Sequence, residues 1–288
     1  MDLSISIVCH NNSALIQKCL QSIQEQTVGI GYEVMVVDNA SADDSVAMIR
    51  RNFPQVRIIE NAQNLFFTRA HNQAIRAAKG DYVLVLNPDT IVTDHAVAKM
   101  MDYIRTHERI GALGCKLLNP DGSIQPFCGK YHFLMWGFFE VLLINAFFPD
   151  NFIEQRRRYP YEKLTDGDEV DYISGACMLM SKKALNGAGL FDERFLMYSE
   201  EVDLCYRIKH AGYRVCVLPS AIVSHIGGSS SSRFGRRYIN RIRQNSMLAY
   251  FRKHNGVTAY AVLKVIDTFT FPLLYALKSI KRAVLPGT

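Results

Sequence analysis

Over its first 120 residues the sequence switches repeatedly between two hydrophobic periods, and that alternation most limits the folds open to it. Residues 4–9, 32–37, 56–59 and 82–86 are short apolar or β-forming runs. Between them, residues 13–26 place Leu15, Ile16, Cys19, Leu20 and Ile23 on one helical face, and 43–51 and 67–78 also read as helices. Strands and helices alternating at this spacing build βαβ units and a mostly parallel sheet. Ligands of such sheets gather at the carboxyl ends of the strands.

The fourth strand, 82–86, is stopped by Asn87-Pro88, because proline cannot donate to a ladder. Asp89 is left at its carboxyl end, where a carboxylate can hold a hard divalent cation bound to phosphate. The same residues also make a good turn by themselves. Asp38 follows the second strand, so parallel geometry can bring Asp38 and Asp89 to one crevice.

Further along, 94–106 reads as a helix, 111–118 as a strand and 119–122 as an Asn-Pro-Asp-Gly turn. Residues 133–148 are almost wholly apolar. They are too short for the roughly 20 residues of a membrane span, which leaves a buried helix or an interfacial segment beside Arg156, Arg157 and Arg158. Strand character returns over 170–181, 213–218 and 222–225, around a helix at about 199–211. At its start Ser199 offers an N-cap, and Glu200, Glu201 and Asp203 offset the helix dipole. Asp203 can pair with Arg207. That account leaves unexplained the aromatic stretch 195–198, which can wall a pocket. His225 ends the last strand beside glycines: a structural histidine, or a metal or diphosphate ligand.

The charge is uneven. From Arg233 onward there are eleven Lys and Arg against one acid, Asp267, a net of +10, which leaves −4 for residues 1–232 of a chain whose total is +6. A slightly acidic body with a basic tail argues against nucleic-acid binding and for a membrane surface as partner. The apolar stretch 257–277 holds Lys264, Asp267 and Pro272 and reads as an amphipathic surface helix rather than a span. The expected division is 1–230 and 231–288. Seven scattered cysteines without a Cys-x-x-Cys pair fit reduced thiols, and the first residues lack a signal-peptide pattern.

The chain resembles the family 2 glycosyltransferases of the GT-A fold, nearest to their rhamnosyltransferase-like branch, from about residue 4 to residue 254. The resemblance is carried by Ile-Val-Cys-His-Asn-Asn at 7–12, Val-Val-Asp-Asn-Ala-Ser at 36–41 and the segment 64–72. It continues with Leu-Asn-Pro-Asp at 86–89, Ile-Ser-Gly-Ala-Cys-Met-Leu at 173–179, the run 191–205 and His-Ile-Gly-Gly-Ser at 225–229. It implies a Rossmann-like sheet flanked by helices, with a C-terminal helical appendage that associates with membrane. It also implies an inverting transferase. Asp38, with Asn39, His10 and Asn11, would hold the nucleotide-sugar donor, joined by Asn87, Arg69 and Asn72. Asp89, with His225, would hold Mg²⁺ or Mn²⁺. Glu201, or its neighbour Glu200, would be the base. Three departures stand out: Asn87 replaces the first acid of the family's Asp-x-Asp motif, Glu201 stands where the branch usually has an aspartate base and is one methylene longer, and Phe66 stands where glycine is usual.

The chemistry agrees: a cation stabilises charge on the departing diphosphate, and the acceptor hydroxyl needs a base. The expected donor is dTDP-L-rhamnose, or another UDP- or GDP-sugar. The expected acceptor is a lipid-linked glycan of O-antigen or capsule assembly, at the cytoplasmic face of the inner membrane, with the enzyme bound peripherally. A homodimer is compatible with the sequence. A sugar nucleotidyltransferase would carry glycine and lysine after the first strand, and 9–13 has neither. A scaffold with a decayed site would have no need of acids at 38, 89 and 201.

Overall fold

A computed structural model describes residues 1–142, 144, 148, 151–227 and 235–284. Its centre is a mixed sheet in the order β3-β2-β1-β4-β10-β6-β11-β5, with β7 paired to β6. The strands are β1 (Leu3–Cys9), β2 (Tyr32–Asp38), β3 (Arg57–Glu60), β4 (Tyr82–Leu86), β5 (Thr90–Val92), β6 (Ile110–Leu118), β7 (Ile124–Gln125), β10 (Cys177–Ser181) and β11 (Arg214–His225). β8 (Cys128–Gly129) and β9 (Tyr172–Ile173) form a separate pair. β1, β2, β3 and β4 run parallel, β10 is antiparallel to both β4 and β6, and β11 is parallel to β6. Six strands therefore point the same way, and their carboxyl ends share one edge.

The expected alternation is present. α1 (Ser13–Gln26), α2 (Ser45–Asn52), α3 (Phe66–Ala77) and α4 (Ala96–Thr106) separate the first strands. In α1 the buried side chains Ile16, Cys19, Leu20 and Ile23 form the face foreseen from periodicity. Strands β4 and β10 are buried almost throughout, which is why they read as continuous apolar runs rather than alternating ones.

Three features differ from the sequence reading. The strand at 170–181 is broken at residues 174–176 between β9 and β10. The strands at 213–218 and 222–225 are one, β11, with a register shift between Leu218 and Ile222 where Pro219 cannot donate. The short β5 begins directly after Asp89, and its antiparallel pairing sets His225 opposite Thr90.

The remaining helices are α5 (Leu134–Val141), α6 (Phe152–Arg157), α7 (Lys182–Ala188), α8 (Glu200–His210), α9 (Arg236–His254) and α10 (Gly256–Val284). Within 133–148, α5 buries Trp136, Gly137, Glu140 and Val141 but exposes Leu134 and Met135; residues 143 and 145–147 lie outside the described set. α5, α9 and α10 share a second small core around Trp136, Phe251 and Leu263. A Cβ at Gly137 would come within 2.8 Å of the Phe251 ring, so this crossing needs glycine. Two buried carboxylates brace the group, Glu140 with Arg243 at 3.0 Å and Asp267 with Arg241 at 2.7 Å.

The expected boundary at 230 lies outside the described residues. Beyond it, α9 is locked to the sheet domain. Ser246 Oγ donates to the Met197 carbonyl at 2.9 Å, and Tyr250 packs with Phe195 and Val202. Asp203 receives Lys253 at 2.6 Å and His254 at 2.7 Å besides the anticipated Arg207 at 2.8 Å. Burial alone would raise the Asp203 carboxyl, but these partners outweigh it and hold it below the ordinary range. Its ionised form is therefore stabilised by folding, fully so above about pH 4 and progressively less as the medium is acidified further. Asp203→Ala should cost about 3 kcal/mol in urea unfolding at pH 7, by removing the buried acceptor that Arg207, Lys253 and His254 share, and the gap to the parent should narrow in acid.

Candidate active site

The carboxyl edge of the sheet opens into a cleft of about 280 Å³. Its floor is the end of β4. The Asn87 amide is held by the Ala176 carbonyl at 2.9 Å, and Thr90 Oγ1 closes the turn onto the Asn87 carbonyl at 2.7 Å. Asp89 is thereby turned into the cleft with only 4% of its surface exposed. His225, delivered by the β5–β11 pairing, places Nε2 3.3 Å from Asp89 Oδ1 and 3.1 Å from Asn87 Nδ2. Its Nδ1 faces Gln125 Oε1 at 2.6 Å.

The side wall nearest β1 and β2 carries His10, whose Nδ1–H donates to the Asn39 carbonyl at 2.9 Å. Asn39 lines the cleft, but its amide group is engaged by Asn61, Leu65 and the Phe66 carbonyl. Asp38 is buried at the end of β2. One of its oxygens accepts from the Ser41 amide at 2.9 Å, and the other, Oδ1, is buried with no hydrogen-bond partner. Asp38 is itself not part of the cleft wall and lies behind the cleft-lining Asn39 that follows it.

The far wall is the start of α8. Tyr198 and Ser199 both take left-handed backbone angles, φ 71 and 64, before the helix begins at Glu200. Two consecutive non-glycine residues there cost about 1–3 kcal/mol each and are characteristic of functional sites. Ser199 does not cap the helix as its sequence position implied. Its Oγ is instead bonded to His132 Nε2 at 3.1 Å. His132 is buried and held well below its ordinary range by burial and by Arg157, whose Nη1 donates to Nδ1 at 2.9 Å. Glu200 and Glu201 both line the cleft, and each has one buried oxygen without a partner. Burial pushes Glu201 up to about 7 and, with repulsion from Glu201, pushes Glu200 well above the ordinary carboxylate range. A carboxylate poised near neutrality is suited to accept a proton.

Some expected donor residues fall elsewhere. Asn72 is 1% exposed and is not part of the cleft wall. Its carboxamide exchanges bonds with the Phe191 backbone and donates to Glu193, so no polar atom is left for a donor. Arg69 turns toward Glu193, 3.8 Å away. Asn11 braces the loop after β2, accepting from the Ala42 amide at 2.6 Å, and also lies off the cleft wall. Thr68 Oγ1 meets the Phe195 carbonyl at 2.7 Å. The segment 64–72 thus anchors the strap 191–196 that leads into α8. Phe66 has φ 59, a backbone that glycine adopts without strain.

Other cleft residues had been given no role: Phe67, Ser174, Gly175 and Ala176. The glycine within an apparent strand is the signal that marks them, since a Cβ at Gly175 would lie 3.3 Å from the Phe67 ring. Met197 and Tyr198 wall the cleft as the aromatic stretch implied.

Could the cleft hold a cation? Asp89 supplies a buried carboxylate oxygen with an imidazole nitrogen beside it. Among the described residues no group of three or more His, Cys, Asp or Glu converges. Two protein ligands fit a Mg²⁺ or Mn²⁺ ion completed by phosphate and water rather than an all-protein cage.

A family model for glycosyl transferase family 2 matches residues 4–188. The chain belongs to that family. It is 30% identical over 236 residues to an N-acetylglucosaminyl-diphospho-decaprenol L-rhamnosyltransferase of Mycobacterium tuberculosis, covering 77% of this chain and 76% of the relative. It is 23% identical to rhamnosyltransferase WbbL of Escherichia coli, over 80% of this chain and 85% of that one. In fold it is similar to a mannosyltransferase of Pyrobaculum calidifontis solved with GDP-mannose and Mn²⁺, with a TM-score of 0.55 and 17% identity over 99% of this chain and 88% of that one. The protein is a glycosyltransferase with the GT-A architecture.

The raised Glu201 sets a pH signature for this glycosyltransferase. The folded protein keeps that proton between its ordinary value of 4.5 and about 7, where the unfolded chain has lost it. Stability therefore falls as pH rises through that window. Glu201→Gln should melt above the parent at pH 7.5 and close to it below about pH 4.5, measured by thermal unfolding across pH.

Proposed function

We propose that the enzyme is an inverting, metal-dependent glycosyltransferase that moves a sugar from a nucleotide donor to a lipid-linked glycan at a membrane surface. The observation that carries this is the pairing of Asp89 and His225 on one side of a single cleft with Glu201 and Glu200 on another. Asp89 and His225 would hold Mg²⁺ or Mn²⁺, which supplies charge stabilisation to the departing diphosphate. His10 and Asn39 would face the nucleoside, with Asp38 holding the loop behind them through the Ser41 amide. Glu201 takes the proton of the acceptor hydroxyl as that oxygen attacks the anomeric carbon. The carbon–diphosphate bond breaks on the opposite side, so one displacement inverts the centre and no covalent enzyme intermediate forms. Glu200, adjacent and also in the cleft, is the next choice for the base.

A scaffold with a decayed site is disfavoured by the energetics. Two buried carboxyls with unpartnered oxygens destabilise the fold, and such a cost is expected where activity needs them. L-Rhamnose is the sugar favoured by the names of the relatives, and dTDP-L-rhamnose is the first donor to test, ahead of UDP- and GDP-sugars. A donor-hydrolysis screen across dTDP-, UDP- and GDP-sugars with Mn²⁺ should give one preferred donor. Glu201→Gln should lower transfer about 10²-fold or more with donor binding nearly intact. Near-normal turnover in that variant would move the base elsewhere. In the parent, activity should rise with pH up to about 7, as Glu201 ionises.

Association with a membrane surface is supported by α10. No helix among the described residues is long and apolar enough to cross a membrane. Val262, Val265, Phe269 and Leu273 nevertheless form an exposed apolar stripe at helical spacing on a basic C-terminal region. Leu134, Met135 and Phe152 are exposed on the neighbouring helices α5 and α6. Flotation with anionic vesicles should recover the protein, and neutral vesicles or high salt should release it. Replacing Phe269 and Leu273 by serine should weaken recovery with the anionic vesicles.

A further inference from the structure

The turn at 119–122 was read from sequence only as a turn, and the cleft chemistry makes no use of it. It nevertheless begins a chain of hydrogen bonds that ends on His225. Ser123 Oγ lies 2.6 Å from Asp121 Oδ1, and Asn119 Nδ2 lies 2.9 Å from Ser123 Oγ. Gln125 Nε2 lies 3.1 Å from Asn119 Oδ1, and Gln125 Oε1 lies 2.6 Å from His225 Nδ1.

The direction of this chain follows from one end. An ionised carboxylate only accepts, and the Ser123 hydroxyl and amide together hold Asp121 below the ordinary range. Ser123 must therefore give its proton to Asp121 and receive from Asn119. Asn119 must then offer its oxygen to Gln125, and Gln125 its oxygen to His225. Reversing either amide would set two acceptors or two donors face to face. His225 answers with Nδ1–H, which in the neutral imidazole leaves the lone pair on Nε2, the nitrogen 3.3 Å from Asp89 Oδ1.

The backbone reinforces the arrangement. β7 pairs Gln125 with Leu117, and β6 pairs Leu118 with Ser224, so Gln125 and His225 flank the same strand end. Gly227 has φ 74, and a Cβ there would come within 3.2 Å of Gln125 Nε2. The positive φ favours glycine there, and a side chain would press on Gln125.

We infer that Gln125, oriented through Asn119 and Ser123 by Asp121, is a positioning residue that fixes the His225 tautomer so that Nε2 faces a divalent cation shared with Asp89. Asn87 Nδ2 donates to the same nitrogen at 3.1 Å, a bond that a bound cation would replace. The inference rests on the proposed metal role of Asp89 and His225. Partners of this kind that orient a metal-binding histidine alter metal affinity by about 10–100-fold when removed.

The test is Mn²⁺ affinity of the full chain in the presence of dTDP, measured by the electron paramagnetic resonance of free Mn²⁺, with ¹⁵N NMR of His225 without metal. The parent should show His225 protonated at Nδ1. Gln125→Leu should bind Mn²⁺ about 10–100-fold more weakly and show mixed tautomers, while Gln125→Glu, which keeps an acceptor at that point, should largely restore both. Asp121→Ala, which removes the acceptor from an exposed turn, should disturb the tautomer with little change in melting temperature, and it decides the matter if Gln125→Leu does not fold. Parent-like Mn²⁺ affinity in Gln125→Leu, an undisturbed tautomer in Asp121→Ala, or a parent imidazole protonated at Nε2 overturns the relay alone. Absence of Mn²⁺ binding by the parent overturns the metal role, and the relay with it.

Discussion

The antiparallel pairing of β5 with the end of β11 is the contact on which the site depends. β4 can present Asp89 at its carboxyl end without help, but a single carboxylate in a crevice holds a cation poorly. Pairing Thr90 with His225 brings an imidazole from the far end of the chain against that carboxylate. It also closes the sheet beyond β11, so β11 gains a partner on the side away from β6. The ladder hydrogen bonds that stabilise the sheet edge are therefore the same ones that align the two groups.

The opposite wall is built at a thermodynamic cost. Left-handed residues at 198 and 199 turn the chain sharply enough to aim the first turn of α8 into the cleft, and Glu200 and Glu201 are buried there together. Neither feature stabilises the fold. They persist because the strap before α8 is held from several sides. Asn72 and Thr68 of α3 hold its backbone, Ser246 and Tyr250 of α9 cover it, and Asp203 ties α8 to Lys253 and His254. The C-terminal helices thus brace the wall that carries the candidate base. Their exposed stripe lies on the face turned away from the small core that binds them to it.

Several side chains were misread for a common reason. Asn72, Arg69 and Asn11 are polar, lie in motifs and were assigned to the donor, but a motif residue can serve by holding another motif. Asn72 binds the Phe191 backbone, 119 residues away in sequence, and no local pattern announces such a partner. Ser199 has the residue type of an N-cap, yet its hydroxyl is drawn away by His132, which sequence placed in no constellation. By contrast Asp89, Glu200 and Glu201 line the cleft, because each stands at the end of a regular element, where the next step of the chain is forced into the crevice.

The sequence by itself determined the alternation of strands and helices, the parallel sense of the first four strands and the edge at which ligands would gather, because hydrophobic period and crossover geometry are local properties. It also marked the acids at that edge. Only the tertiary structure decided that β10 reverses between β4 and β6, that residues 174–176 leave the sheet to line the cleft, and that Gln125 and His225 meet. Those outcomes depend on which strands pair and on the direction of hydrogen bonds across more than a hundred residues of chain. Such bonds are selected by the need to satisfy buried donors and acceptors in the assembled molecule, and no stretch of sequence carries that requirement alone.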